Sequence, residues 1–108
     1  MGKFIIKRRT NGEYQFTLIA GNGQVILVSE GYTQMSNCLN GIEAVKKYAQ
    51  DETKFDRRVT VNGKFYFNLK ASNGEIIGSS QLYESEASRE NGIWSVQRNS
   101  QTTDVVDN

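Results

Sequence analysis

The sequence contains no histidine, no proline and only one cysteine among its 108 residues. Histidine is the commonest general base and a frequent metal ligand, so its absence removes the usual means of activating a nucleophile or holding zinc. A single thiol cannot form an intrachain disulfide, which favours a reducing compartment. We therefore expect a small soluble cytoplasmic protein that is not an enzyme and holds no cofactor and no metal.

Long apolar runs and an excess of one charge are also lacking. The 13 basic and 12 acidic residues leave a net charge of +1, so no acidic partner is required. The N-terminal stretch has no long apolar run, so we predict no signal peptide. No segment approaches the ~20 apolar residues that are needed to cross a bilayer. We expect no membrane contact, and a monomer.

An internal repeat is the strongest signal that the sequence does contain. When the sequence is shifted by 51 residues, residues 3–50 align with residues 54–101 without a gap, and 17 of the 48 pairs are identical. The identical pairs run from Lys3/Lys54 to Gln50/Gln101. Because an internal repeat determines the architecture, we predict a single domain over residues 1–108. It consists of copy one, residues 1–51, and copy two, residues 52–108.

Asn-Gly pairs separate runs of strand-forming residues in both copies. Asn-Gly is the strongest short signal for a type I′ hairpin, in which both central residues have positive φ. Each copy is therefore predicted to begin with three antiparallel strands, near residues 3–9, 14–20 and 24–30 and near residues 54–61, 65–71 and 75–81. The turn glycines are Gly12, Gly23, Gly63 and Gly74.

A helix is predicted after each set of strands, near residues 34–48 and 85–98. Apolar residues recur at helical spacing in the first of them: Met35, Leu39, Ile42 and Val45. Thr33 and Ser85 are the predicted N-caps. Gly41 and Gly92 occupy equivalent positions inside the helices, where glycine costs about 1 kcal/mol relative to alanine. We predict that both glycines let a helix approach the sheet closely.

Three strands and one helix are too few to enclose a core. We therefore predict an α+β fold in which two β-β-β-α(-β) copies share one mainly antiparallel sheet, with both helices packed on one face. The tail from Thr102 to Asn108 contains Val105 and Val106, and it could add a short edge strand or fray.

Two stretches suggest a family. They are Asn62 to Ala71, of sequence NGKFYFNLKA, and Leu18-x-Ala20-Gly21-Asn22-Gly23 in copy one. With these stretches and the repeat, the whole chain resembles the YegP-like family of small bacterial proteins. The resemblance implies a three-strand–helix–strand unit, duplicated or dimerised into one sheet with exchanged C-terminal strands. It further implies that residues 54–61 close copy one as well as opening copy two, and that Val105 and Val106 carry the exchanged strand. It implies no activity, ligand or catalytic residue.

The alternation of the middle strands predicts one buried and one polar sheet face. The candidate binding residues are on or near the polar face: Gln15, Thr17, Arg57, Arg58, Lys64, Tyr66, Asn68 and Lys70. An aromatic residue among cations on a sheet can hold single-stranded nucleic acid by stacking and phosphate contacts. Only one aromatic residue is predicted there, however, and nucleic-acid binders are usually more basic.

We interpret the chain as a non-enzymatic binding or protein-interaction module that uses this polar face. One alternative is a weak binder of single-stranded nucleic acid, and another is an ordinary solvated face. A remote alternative is an enzyme of unusual type, which would need a concave pocket with convergent polar groups. Cys38 has no histidine to activate it, so we expect a partly buried small apolar residue there.

Overall fold

The computed structural model describes residues 2–107 and contains the predicted order of strands and helices. Copy one forms β1 (Lys3–Arg8), β2 (Tyr14–Ile19), β3 (Val25–Ser29) and α1 (Met35–Tyr48). A short 3₁₀ turn (Glu52–Lys54) leads into copy two, which forms β4 (Phe55–Val59), β5 (Phe65–Lys70), β6 (Ile76–Ser79) and α2 (Glu86–Asn99). A final strand, β7 (Val105–Asp107), follows α2.

All seven strands form one sheet, in the order β4-β5-β6-β3-β2-β1-β7. The two copies meet at its centre, where β3 and β6 pair antiparallel with Val28 opposite Ser79. Each helix packs across this junction, since α1 contacts β2, β5 and β6 while α2 contacts β2, β3 and β5. The core therefore belongs to both copies, which confirms the predicted α+β fold with a shared sheet.

The C-terminal strand of copy two lies against the first strand of copy one. β7 runs parallel to β1, with Val105 beside Phe4 and Val106 beside Ile5. The Phe4 amide donates to the Asp104 carbonyl at 2.9 Å. The tail thus forms the exchanged edge strand. Within residues 2–107, β4 pairs only with β5, so the expectation that residues 54–61 also close copy one is wrong.

The Asn-Gly turns are hairpins, but they are not of type I′. Among the described residues only glycines have positive φ, at 85–88°. The Gly12 amide donates to the Arg9 carbonyl, and the Arg9 amide donates to the Glu13 carbonyl. This is a three-residue loop whose last residue is left-handed. The Asn11 carboxamide accepts from the Glu13 amide at 3.0 Å, which fixes the asparagine without a positive φ. The two backbone hydrogen bonds recur at Gly23, Gly63 and Gly74. The asparagine bond recurs at the second and fourth turns, whereas at the third the Lys64 amide donates to the Thr60 hydroxyl.

The helices differ from prediction in two details. The buried positions of α1 are Cys38, Gly41, Ile42 and Val45. Leu39 is 44% exposed, because it lies about 100° around the helix from Cys38. Ser85 caps α2 by accepting from the Ser88 amide, as predicted. The N-cap of α1 is Gln34, not Thr33, and its side chain makes no capping hydrogen bond. Gln34 is the repeat equivalent of Ser85.

The two helix glycines make room for tyrosine side chains. A methyl group at Gly41 would meet the Tyr32 ring, with Cζ at 2.9 Å, and Phe16 Cε2 at 3.0 Å. One at Gly92 would meet Tyr83 Cζ at 2.6 Å. Tyr32 stacks on Phe16 at a centroid distance of 6.2 Å. The glycines therefore do permit close approach, through an aromatic pair that lies between helix and sheet.

Candidate functional site

One sheet face carries both helices and the other is open. A continuous row of paired residues crosses all seven strands on the open face: Val106, Ile5, Thr17, Val28, Ser79, Asn68 and Asp56. The repeat relates Ile5 to Asp56, Thr17 to Asn68 and Val28 to Ser79. Each residue of copy one is thus replaced by a more polar residue in copy two. The open face has an apolar half and a polar half.

Hydrogen bonds and ion pairs link the residues of the polar half. The Ser79 hydroxyl donates to the Asn68 carbonyl oxygen at 2.6 Å, and Asn68 is only 9% exposed. Asp56 binds Arg58 Nε at 2.9 Å and Lys70 Nζ at 3.2 Å. The Arg58 hydrogen bond is the main cause that lowers the pKa of Asp56. The charges that the sequence places on this half are therefore already paired with one another.

The structure separates several of the predicted binding residues. Arg58, Tyr66, Asn68 and Lys70 do share the open face, and Arg58 lies opposite Tyr66. Arg57 instead lies on the helix side, where it pairs with Glu90 of α2 at 2.8 Å and with Glu52 at 3.0 Å. It points there because adjacent strand residues alternate between faces, so the two arginines do not form one basic cluster.

The remaining predicted residues make short-range contacts. Lys64 pairs with Glu84. Gln15 lies on the open face and donates to the Ser29 carbonyl at 3.1 Å. Thr17 is half-buried in the cross-strand row. Gln15 therefore borders the apolar half and Thr17 belongs to it, so neither is part of a shared polar surface with copy two.

The apolar half is the part of the face that the sequence reading missed. It contains five half-buried side chains: Ile5, Thr17, Ile19, Val28 and Val106. Lys3 and Lys7 border them on β1 and have no ion-pair partner within residues 2–107. The signal was present in the repeat, because each of Ile5, Thr17 and Val28 aligns with a more polar residue of copy two. Prediction required the strand order, which places β7 and β3 beside β1 and β2.

Two surface grooves lie on the helix side and are related by the repeat. The larger, of about 410 Å³, lies between α1 and the β5–β6 turn and includes Tyr32, Asn40, Glu75 and Ile77. Burial is the main cause that raises the pKa of Tyr32, and the charges of Cys38, Glu30 and Glu75 add to it. The smaller, of about 270 Å³, lies between α2 and the β2–β3 turn and includes Arg98.

Cys38 and its repeat equivalent Arg89 are both buried, at 0% and 6% exposure. Burial raises the pKa of the Cys38 thiol, so the reactive thiolate form is disfavoured. The Arg89 guanidinium lies over the Phe65 ring at 5.4 Å from its centre and donates to the Arg58 carbonyl at 3.2 Å. Both side chains therefore pack against the core. Within residues 2–107 no three potential ligands cluster around a metal-sized space.

The repeat pattern also matches a known family. The model of a domain of unknown function, DUF1508, matches residues 10–56 and again residues 61–107. Both ends of the two matches differ by 51 residues, which is the offset found in the sequence. The chain belongs to the DUF1508 family. The boundaries 1–51 and 52–108 proposed for the two copies stay a prediction.

Bacterial relatives extend this match over nearly the whole chain. A UPF0339 protein from the 5′ region of the ptx operon of Stutzerimonas stutzeri is 49% identical, covering 98% of this chain and 96% of the relative. The UPF0339 protein YegP of Escherichia coli is 44% identical, covering 99% and 97%. The resemblance to YegP-like proteins is therefore confirmed.

Solved structures of two relatives confirm the fold. A solution structure of a UPF0339 protein from Shewanella oneidensis matches with a TM-score of 0.93 at 47% identity, covering 98% of this chain and 90% of that chain. The E. coli yegP structure matches with a TM-score of 0.95 at 44% identity, covering 99% and 92%. The yegP structure is described as that of a protein of unknown function, so kinship indicates no specific function. In the described part of the chain, neither helix is long and apolar enough to span a bilayer.

Proposed function

We propose that the protein is a non-enzymatic interaction module, and that a partner protein binds the apolar half of its open sheet face. The observation that supports this is the row Val106, Ile5, Thr17 and Val28, which lies uncovered across four adjacent strands. Side chains that are apolar or β-branched gain free energy when a partner removes them from water. Lys3 and Lys7 add a polar rim, as is usual around protein interfaces.

The charge pattern favours a protein over single-stranded nucleic acid. Four cations that could contact phosphate, Arg57, Arg58, Lys64 and Lys70, each have a carboxylate partner. Single-strand binding would need contacts from several of these cations to successive phosphates, and several carboxylates would have to be displaced at once. Among residues 2–107, Tyr66 is the single aromatic residue on the open face, whereas single-strand binders usually stack several bases.

We further propose that the module acts as a monomer in the cytoplasm. The one cysteine is buried and reduced, which suits a reducing compartment. Gel filtration over a range of concentrations tests the monomer, and a mass that rises with concentration would contradict it.

A capture experiment with matched variants tests the interaction surface. The wild-type chain, Ile19→Lys and Lys70→Gln are immobilised and exposed to native lysate, with and without nuclease. Ile19→Lys places a charge in the apolar half, and Lys70→Gln changes the polar half of the same face. We expect one set of proteins to be retained by the wild type and by Lys70→Gln, and lost with Ile19→Lys. Thermal melting of each variant controls for folding.

Other results would contradict the proposal. Proteins retained equally by all three chains would exclude the apolar half as the contact surface. Retained material that nuclease removes, and that falls steeply with added salt, would favour nucleic-acid binding instead. Turnover of a substrate bound in the 410 Å³ groove beside Tyr32 would favour an enzyme.

A further inference from the structure

The outer edges of β1 and β4 differ although the two strands are repeat equivalents. Phe4 and Phe55 occupy the same repeat position and are both buried, at 0% and 4% exposure. β7 covers the outer edge of β1. Within residues 2–107, no strand covers the outer edge of β4. The sheet therefore has two equivalent edge positions, one filled and one open.

The tandem arrangement explains why one position is open. The 51-residue offset maps β7 (Val105–Asp107) onto residues 54–56, where β4 begins. The segment after α2 is free to lie beside β1. The corresponding segment after α1 must itself become β4, so it cannot also lie beside β4. Two symmetric copies would need eight strands, and residues 2–107 form seven.

The backbone groups on this edge are set for strand pairing. The Thr60 amide donates inward to the Lys64 carbonyl at 2.8 Å. Strand alternation then turns the amides and carbonyls of Phe55, Arg57 and Val59 outward. The Phe55 amide donates to the Glu52 carbonyl. The Phe55 carbonyl, both Arg57 groups and the Val59 amide have no hydrogen-bond partner among the described residues.

We propose that the outer edge of β4 binds an extended acidic segment of a partner protein, which adds as a parallel strand in the register that β7 has on β1. Pairing of this kind supplies affinity through main-chain hydrogen bonds and specificity through alternate side chains. In that register an apolar residue lies beside Phe55, as Val105 lies beside Phe4. The next residue lies beside Asp56 on the open face, as Val106 lies beside Ile5, and the one after it lies beside Arg57 on the helix side, as Asp107 lies beside Ile6.

Charge complementarity selects an acidic segment. The Arg58 side chain is 54% exposed and has a single carboxylate partner, Asp56. Arg57 uses Nε and Nη2 for its hydrogen bonds, which leaves Nη1 for a further acceptor. Charged residues on an edge strand also discourage indiscriminate pairing. A second copy of the chain is a poorer occupant, because its β7 is already hydrogen-bonded to β1 and its own open β4 edge carries the same two arginines.

The test uses the full chain and a synthetic peptide with the sequence of residues 102–108, TTDVVDN, blocked at both ends. Its residues Val105 to Asp107 occupy the filled position beside β1. The peptide is titrated into isotope-labelled protein, and amide shifts are followed by NMR. We expect saturable shifts at Arg57 and Val59, with β1 unchanged. A peptide with both aspartates replaced by asparagine should bind about tenfold more weakly.

Two variants show which groups act. Arg57→Pro removes the outward amide at a position where an edge strand tolerates proline, and Arg57→Ala keeps that amide and removes only the side chain. We expect Arg57→Pro to abolish binding and Arg57→Ala to weaken it several-fold. If Arg57→Pro fails to fold, Arg58→Glu, which leaves the backbone unchanged, should repel the acidic peptide. Thermal melting reports folding in each case.

Three results would overturn the inference. The first is an absence of shifts up to the solubility limit of the peptide. The second is shifts confined to β1, which would mean that the peptide only displaces β7. The third is a concentration-dependent dimer that forms without peptide and disappears in Arg57→Pro, which would assign the edge to a second copy. The apolar half-face lies on other strands, so Ile19→Lys should leave peptide binding unchanged and separates this result from the proposed function.

Discussion

At the scale of single residues, a glycine and a tyrosine determine how each helix lies on the sheet. The Tyr32 ring occupies the space in which a side chain at Gly41 would lie, and the Tyr83 ring does the same at Gly92. Gly41 and Gly92 are repeat equivalents. Each lowers the stability of its helix relative to alanine, and each leaves space for a tyrosine ring. The sequence showed the repeated glycines but not their neighbours, since Tyr32 precedes α1 and meets Gly41 only after folding.

Replacing Gly41 with alanine should therefore destabilise the fold. Helix propensity alone would stabilise it by about 1 kcal/mol, but the added methyl must displace the Tyr32 ring, and overpacking of this kind costs roughly 1–3 kcal/mol. Urea unfolding should show a net loss. In a Tyr32→Leu background the same substitution should cost less or stabilise. Higher stability of Gly41→Ala in the wild-type background would refute the role assigned to the glycine.

At the scale of elements, α2 is joined to β4 by a cluster of charges. Glu90 accepts from Arg57 Nε at 3.0 Å and from Arg89 Nε at 3.2 Å. The Arg57 hydrogen bond is the main cause that lowers the pKa of Glu90. Its copy-one equivalent is Leu39. Helical spacing suggested that Leu39 is a core residue, but its side chain is exposed. The equivalent position of copy two can therefore hold the carboxylate of Glu90.

Acid should weaken this connection. Because the pKa of Glu90 is lower in the folded protein, its contribution is present above the unfolded pKa of about 4.3 and is lost as pH falls through the folded pKa. Glu90→Gln should cost about 0.5–1 kcal/mol at neutral pH, since the carboxylate is 43% exposed and screened by water. The urea midpoints of the wild type and Glu90→Gln, which differ at pH 7, should converge in acid as Glu90 becomes protonated. If the urea midpoints of the wild type and Glu90→Gln differ by the same amount at neutral and at acid pH, this prediction is contradicted.

Several elements could be predicted from the sequence because their signals are local. The Asn-Gly turns and the strand alternation predicted three strands in each copy, and Ser85 was correctly predicted as the N-cap of α2. The wrong predictions depended on exact geometry or on distant contacts. Type I′ turns need a positive φ at asparagine, and the asparagine carboxamide bonds favour another loop. The face of Arg57 could be read from alternation, but its partner Glu90 lies 33 residues away.

At the scale of the whole molecule, two nearly symmetric copies enclose one core and differ at their exposed surfaces. Even in the core the symmetry is broken where the copies meet. Leu27 and Gly78 are repeat equivalents, and a methyl group at Gly78 would lie 2.9 Å from Leu27 Cγ. The Leu27 side chain fills the space between the copies, and glycine at position 78 leaves room for it. Two leucines could not both fit there. Divergence on the open face and the open edge of β4 follow from the same duplicated architecture.

The exchanged strand β7 joins the two ends of the chain, and its pairing with β1 can be observed directly. The Phe4 amide donates to the Asp104 carbonyl at 2.9 Å. An NMR experiment that detects scalar coupling across hydrogen bonds should connect the Phe4 amide nitrogen to the Asp104 carbonyl carbon, and the Phe4 amide should exchange slowly with solvent. No coupling, together with exchange at the rate of an unstructured chain, would show that the copies do not share their edge strands.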